Sequence, residues 1–202
     1  MSKTLERHAK LRDALILAAE HSIAAGGLSA LKTRELAREI GCANGAVYNL
    51  VEDMDELILR VGSRTLGRLD AFLTKAESES AASSGERLVR IAIAYCDFAA
   101  QNFELWRALF EHRMQRGKPT PDWAISEQME LFRHIYRPLA TLFPKKSAQE
   151  IGVTARSLFS AVHGMVALGL EQKLIAVPLE ALRTEISIIV RAIVNGLAAE
   201  AS

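Results

Sequence analysis

An all-helical fold is what this sequence predicts. Its apolar residues recur at three- and four-residue spacing, its glycines and prolines fall between those stretches, and no alternating run with a hairpin turn interrupts them. Of 202 residues, 50% are hydrophobic and 24% charged, enough for a real core, so disorder of the whole chain is excluded. No apolar run is read as reaching the roughly 18 residues of a membrane helix, and the first residues lack the apolar stretch of a signal peptide. A cytoplasmic protein without membrane contact is the expectation. Cys42 and Cys96 are too few and too far apart for a disulfide framework or a zinc site and read as reduced thiols. A net charge of +1 does not announce a nucleic-acid binder, so affinity for DNA would have to come from local placement of Lys and Arg.

The elements follow in order. Leu11, Ala14, Leu15 and Ala18 share one face of a helix expected from about Leu5 to Ala25, which Gly26 and Gly27 end because glycine accepts the left-handed C-cap. A short helix is expected from Thr33 to Ile40, with Thr33 as cap and Leu36, Ala37 and Ile40 inward. After the turn Gly41-Cys42-Ala43 comes a second short helix, Asn44 to Val51, and then a longer one from Met54 to about Lys75. Asp53 with Glu56 forms a capping-box variant at its start, and Asp55 adds acid at its positive end. The small, polar stretch KAESESAASSGE over 75–86 reads as a loop. Helical patterns follow at about 86–101, 103–116, 121–142, 148–174 and 179–199, separated by Gly117-Lys118-Pro119, Pro144 and Pro178. Two domains are expected: 1–53, and 54–202 with 54–75 as the connecting helix.

Two short helices joined by a three-residue glycine turn and braced by a longer apolar helix make a helix-turn-helix. Its second helix would expose Asn44, Gly45, Tyr48 and Asn49 to the major groove, while Val47 and Leu50 point back at Leu36, Ala37 and Ile40. Small residues at Gly45 and Ala46 let the backbone lie close to a duplex, and amides at the helix start can meet a phosphate.

The stretch TRELAREIGCANGAVYNLVEDMDELI resembles the signature of the tetracycline-repressor (TetR) family, matching it at Leu36, Ala37, Gly41, Gly45, Tyr48 and Leu57. FSAVHGMVAL, residues 159–168, resembles a C-terminal subfamily with Trp before His-Gly, Phe159 standing in the place of the Trp. The resemblance implies that Tyr48 contacts a phosphate, that Thr33 and Arg34 touch the backbone, and that Asn44 and Asn49 face base edges; asparagine pairs bidentately with adenine. It also implies a ligand-driven change in the spacing of two recognition helices on a palindromic operator. Three positions depart from the pattern: Met54 stands where many relatives have a lysine, Val51 replaces an aromatic, and Ala43 replaces a Ser or Thr cap.

Residues 1–60 carry eight bases (Lys3, Arg7, Lys10, Arg12, Lys32, Arg34, Arg38, Arg60) against nine acids (Glu6, Asp13, Glu20, Glu35, Glu39, Glu52, Asp53, Asp55, Glu56). The unit therefore counts as lightly charged, and phosphate neutralisation is assigned to Lys3, Arg7, Lys10 and Arg34.

The last two helices are too apolar for a small monomer to bury, which predicts a homodimer built on Val153, Phe159, Val162 and Val166 of one and Ile186, Ile189, Val190, Ile193, Val194 and Leu197 of the other. Aromatic and soft residues are candidates for a small apolar or aromatic effector: Tyr95, Phe98, Phe103, Trp106, Phe110, Trp123, Phe132, His163 and Met165. His163 is the sharpest of them, since a histidine in an apolar helix needs a polar partner. No phosphate loop, nucleophile elbow, or metal-spaced Cys or His is present, so no enzyme, cofactor or metal is expected. The chief alternative to a ligand-released repressor is a helical interaction module that has lost DNA binding, and activation instead of repression stays open. Deleting residues 1–10 is expected to lower both duplex affinity and the slope of log affinity against log salt; equal values for full-length and truncated protein would refute the role given to the N-terminal arm.

Overall fold

The structure, a computed structural model, describes residues 3–78, 83–172 and 176–200, with the side chains of Lys3 and Thr4 outside the description. Nine α-helices run through these residues: α1 (Lys3–Gly26), α2 (Thr33–Glu39), α3 (Met54–Ser78), α4 (Ser84–Gln101), α5 (Phe103–Glu111), α6 (Asp122–Leu131), α7 (Arg133–Leu142), α8 (Ala148–Leu170) and α9 (Leu182–Glu200). No strand occurs among the described residues, as the periodicity predicts. Two compact units form, one from 1–67 with 102–125 and one from 68–101 with 126–202. They cut the chain differently from the expected 1–53 and 54–202, because α5 and the segment after it pack with the N-terminal helices.

In the first unit Leu15, Ile23, Leu36, Ala37, Val47, Leu57 and Val61 close a single core, joined by Leu105 and Ala108 of α5. α1 ends where expected: Gly27 takes φ +69 and its amide donates to Ile23 O at 2.8 Å. A Cβ there would also lie 2.7 Å from Glu104 Oε2 and 2.9 Å from an Arg107 nitrogen. Gly27 is thus required by conformation, and the ends of two flexible side chains would have to move for a Cβ.

Four expectations are corrected. Thr33 is not the cap of α2: Lys32 holds that position without a side-chain hydrogen bond, and the Thr33 hydroxyl turns to Met54 Sδ at 3.6 Å. Asn44–Asn49 is a 3-10 turn, not an α-helix. Its bonds run three residues back, Ala46 N–H to Ala43 O and Leu50 N–H to Val47 O, both 2.9 Å. Asn44, Gly45 and β-branched Val47 are weak helix formers, and Ala43 supplies no cap, so nothing local favours the wider helix. The helix expected over 103–116 stops at Glu111, because His112 and the Gln115 amide turn to Asp55. The helix expected over 121–142 is interrupted at Phe132, where Phe132 N–H bonds Met129 O and Ile135 N–H bonds Phe132 O, again three residues back.

The capping-box variant of α3 is present: Glu56 N–H donates to Asp53 Oδ1 at 2.9 Å, and Glu56 Oε2 accepts the Glu52 N–H at 2.7 Å.

In the second unit α4 is the central element, buried from Leu88 to Ala99 and packed by α7, α8 and α9. α8 begins with a full capping box, Ser147 and Glu150. α9 faces it with Leu182, Ile186, Val190 and Val194 at four-residue spacing. The expectation of no membrane-length apolar run is corrected at α8: Ala148–Leu170 is long and apolar enough to cross a membrane by length and composition. The same composition suits a core helix, and Ile151, Ala155, Leu158, Val162 and Val166 do face the interior of the unit.

Replacing Gly27 with Ala forces a left-handed alanine against Glu104 and Arg107, a cost on the order of 1–2 kcal/mol. Urea denaturation is expected to show a lower midpoint at unchanged slope.

Candidate nucleic-acid interface and sensor interior

The recognition segment has an apolar back and a polar front. Val47 is fully buried and Leu50 nearly so, both in one core with Leu36, Ala37, Leu15 and partly buried Ile40, as the sequence predicts. Asn44, Gly45 and Asn49 are exposed, and Tyr48 is 52% exposed, unusual for so large a ring. A Cβ built on Gly45 meets nothing within 4 Å, so no contact inside the chain requires glycine there. The bare backbone is open to whatever approaches from outside. The Asn49 carbonyl is 2.8 Å from His8 Nε2, a tie between α1 and the segment that sequence reasoning missed. A histidine one turn into an exposed helix carries no spacing signal for such a contact. Thr33 is half-buried at the start of α2, and Arg34 is exposed beside it. Lys3 opens α1, and its side chain lies outside the described residues.

Charge is distributed differently from the count over residues 1–60. Glu20 pairs with Arg64. Glu56 pairs with Arg12 at 2.6 Å and Arg60 at 3.3 Å. Asp55 lies 3.4 Å from His112 Nε2 and accepts the Gln115 amide at 3.1 Å. Lys118 reaches both Glu52, at 3.0 Å, and Asp53. Hydrogen bonding to Lys118 and to the Glu56 amide holds the Asp53 carboxyl below its ordinary range, while the two carboxylates raise Lys118. Five of the nine acids are therefore engaged, three of them through Arg64, His112 or Lys118, which lie beyond residue 60, and a fourth, Glu52, by the same Lys118. Lys32, Arg34 and Arg38 of the α2 region are exposed and engaged in no ion pair among the described residues. The face beside the recognition segment is more cationic than the sequence count implies.

The aromatic candidates fall into two groups. Phe103, Trp106 and Phe110 pack on one another in the first unit, with Trp106 buried and Phe110 exposed, while Trp123 lies under the Arg60 guanidinium at 4.1 Å. Tyr95, Phe98, Phe132, His163 and Met165 belong to the second unit. There Tyr95 OH and His163 Nδ1 are 2.8 Å apart, Phe159 stacks on His163 with centroids at 5.4 Å, and Phe132 meets Phe159 edge-on. Burial holds His163 below the ordinary histidine value, so the ring is neutral at pH 7 and, with its proton on Nε2, accepts from the tyrosine. Phe98 pairs instead with Phe72 of α3.

Sequence reasoning also missed His134, buried on α7 with Nε2 2.9 Å from Asp70 and Nδ1 3.0 Å from Glu77, two α3 carboxylates seven residues apart. Cys96 is buried and its thiol is pushed up by that burial, and Cys42 is half-buried; both are free thiols. No group of three or more His, Cys, Asp or Glu among the described residues is placed to hold a metal.

The expected interface residues divide as well. Val162, Val166, Ile186, Val190 and Val194 are in the unit's own interior, which removes them from any interface between copies. They form one helical face, as their spacing predicts, and that face is turned into the unit. Val153 and Ile189 are exposed, and Phe159, Ile193 and Leu197 are partly so.

Such a chain is a two-unit, all-helical protein with a helix-turn-helix at its N-terminal end. Residues 88–193, just over half of its length, match the family model described as "Tetracyclin repressor-like, C-terminal domain". The chain belongs to this family, that of the TetR transcription regulators. No curated protein matches the chain by sequence. Among solved structures it is similar to a protein of unknown function from Rhodococcus sp. RHA1, at TM-score 0.74 and 22% identity over 90% of this chain and 94% of that one. It is also similar to the transcriptional regulator FadR from Bacillus subtilis in complex with stearoyl-CoA, at 0.66 and 15% over 89% and 97%. BioQ with its double-stranded DNA operator aligns at 0.63 and 18% over 93% and 98%. At these identities the likeness is one of fold.

Because His163 is held neutral in the folded chain and titrates near 6.5 when unfolded, the unfolded state binds more protons as pH falls. Stability is thus expected to drop from about pH 6.5 downwards, toward the lower folded value. His163→Phe should remove that component; an unchanged difference in urea midpoint between about pH 7.5 and pH 5 would contradict it.

Proposed function

We propose that the chain is a ligand-responsive, DNA-binding transcription regulator of the cytoplasm, a repressor that acts as a homodimer and leaves its operator when a small apolar or aromatic molecule binds. The observation that carries the reading is the recognition segment itself: Asn44, Gly45, Tyr48 and Asn49 exposed on a backbone anchored by Val47 and Leu50. A turn used only for packing would have no reason to expose a tyrosine and an unencumbered glycine together. Asn44 and Asn49 read base edges, Tyr48, Thr33, Arg34 and Lys3 meet phosphates, and Gly45 allows close approach. The operator complex of BioQ and the stearoyl-CoA complex of FadR support the two halves of this reading by their fold.

DNA reading is assigned to residues 1–53, and effector sensing and dimerisation to 54–202. Effector contact centres on Tyr95, Phe98, Phe132, His163 and Met165, where an apolar surround with one neutral polar pair favours an uncharged or apolar group. Outward-facing Val153, Ile188 and Ile189, with partly exposed Ile193 and Leu197, supply the face between copies. An effector releases the duplex only if it binds the released dimer better than the DNA-competent one. Catalysis, a cofactor and a membrane have no place in this reading.

The test is a mobility-shift titration against the duplex upstream of the chain's own gene, with the mass of the complex read by light scattering. Two chains per duplex are expected, and Tyr48→Ala should weaken binding by about tenfold or more, roughly 1.4 kcal/mol. Absence of any shift, or equal binding by the variant, would sink the proposal.

A further inference from the structure

The segment after α5 returns to the first turn of α3, directly behind the recognition segment. His112 and the Gln115 amide hold Asp55 at 3.4 and 3.1 Å. A turn closed by Lys118 N–H to Gln115 O at 2.9 Å, with Gly117 at φ +86, then delivers the Lys118 ammonium to Glu52 at 3.0 Å and to Asp53. Among the described residues no other cation pairs with either carboxylate. Glu52 is three residues past Asn49 and four past Tyr48. Three residues span at most about 11 Å, comparable to the screening length of about 10 Å at 0.1 M salt. Any polyanion brought to Tyr48 and Asn49 therefore feels these two acids unless they are cancelled.

We propose that Lys118 is a positioning residue for duplex binding, acting through Glu52 and Asp53: it cancels the negative charge directly behind the recognition segment. Among the described residues no cation of 1–60 pairs with Glu52 or Asp53, and Arg12 and Arg60 are committed to Glu56. The inference rests on the DNA-binding reading above.

Its test uses the full chain and a labelled 30-base-pair duplex of mixed sequence, with affinity measured by fluorescence anisotropy at about 50 and 300 mM KCl. Lys118→Met should weaken binding about five- to tenfold at the lower salt and less than about twofold at the higher, since screening removes the repulsion. Lys118→Arg should stay within about twofold of the parent. In a Glu52→Gln, Asp53→Asn background, where Asn still caps α3, adding Lys118→Met should change affinity by less than about twofold. A loss equal at both salts, or one that persists in the neutralised background, would show a structural tie or direct phosphate contact and overturn the proposal. Indifference to Lys118→Met at low salt would overturn it alone, whereas a parent chain that binds no duplex refutes the DNA-binding reading with it.

Discussion

The insertion of Val47 and Leu50 into the core made by α1, α2 and the start of α3 is the contact on which the exposed face from Asn44 to Asn49 depends. The segment, six residues of 3-10 helix that carry Val47 and end at Leu50, has few bonds of its own and no side-chain cap, and so short a piece of helix does not hold itself in water. Two buried aliphatic side chains, each contributing on the order of 1.5–3 kcal/mol, do what the backbone cannot. They also set orientation. With the branched side chains inward, Asn44, Gly45, Tyr48 and Asn49 have nowhere to point but out. The ties of His8 to the Asn49 carbonyl and of Thr33 to Met54 then act at the margins of a geometry already determined by packing.

Electrostatics adds a second layer that no local segment contains. Acids gather at the start of α3 because a helix N-terminus favours them and because Asp53 and Glu56 cap it. Left alone they would place negative charge beside a surface suited to a polyanion. The chain resolves the conflict with groups from elsewhere: Arg12 from α1 and Arg60 from further along α3 at Glu56, the His112 ring at Asp55, and Lys118 from beyond α5 at Glu52 and Asp53. The contact of Lys118 with the exposed Glu52 adds little to stability. The pairing lowers the negative charge at this surface, while Lys32, Arg34 and Arg38 are exposed and in no ion pair among the described residues.

The second unit follows another logic. Its centre, α4, buries an apolar face, and two polar groupings enter the unit: Tyr95 with His163, and His134 close to Asp70 and Glu77. Unpaired, each would cost far more than an apolar side chain in its place. Burial holds the His163 pKa below its ordinary value, and Tyr95 OH lies 2.8 Å from its Nδ1. α8 has enough apolar surface for a membrane span, yet its inward stripe belongs to this unit and its outward Val153 and Leu168 remain uncovered within one chain.

The sequence by itself determined the helical class, the number and order of most helices, the left-handed stop at Gly27, the capping of α3 and the inward set Leu36, Ala37, Val47 and Leu50, because each follows from spacing within one or two turns. It also located the exposed set from Asn44 to Asn49, since that is the other side of the same pattern. Only the tertiary structure decided what depends on residues far apart in the chain. The end of α5 at Glu111, the break at Phe132, the loss of the Thr33 cap to Met54 and the burial of Val162, Val166, Ile186, Val190 and Val194 inside the subunit all reflect partners that local patterning does not see. The same holds for charge: a count along the first sixty residues leaves the recognition unit lightly charged, and only the fold brings His112 to Asp55 and Lys118 to Glu52 and Asp53.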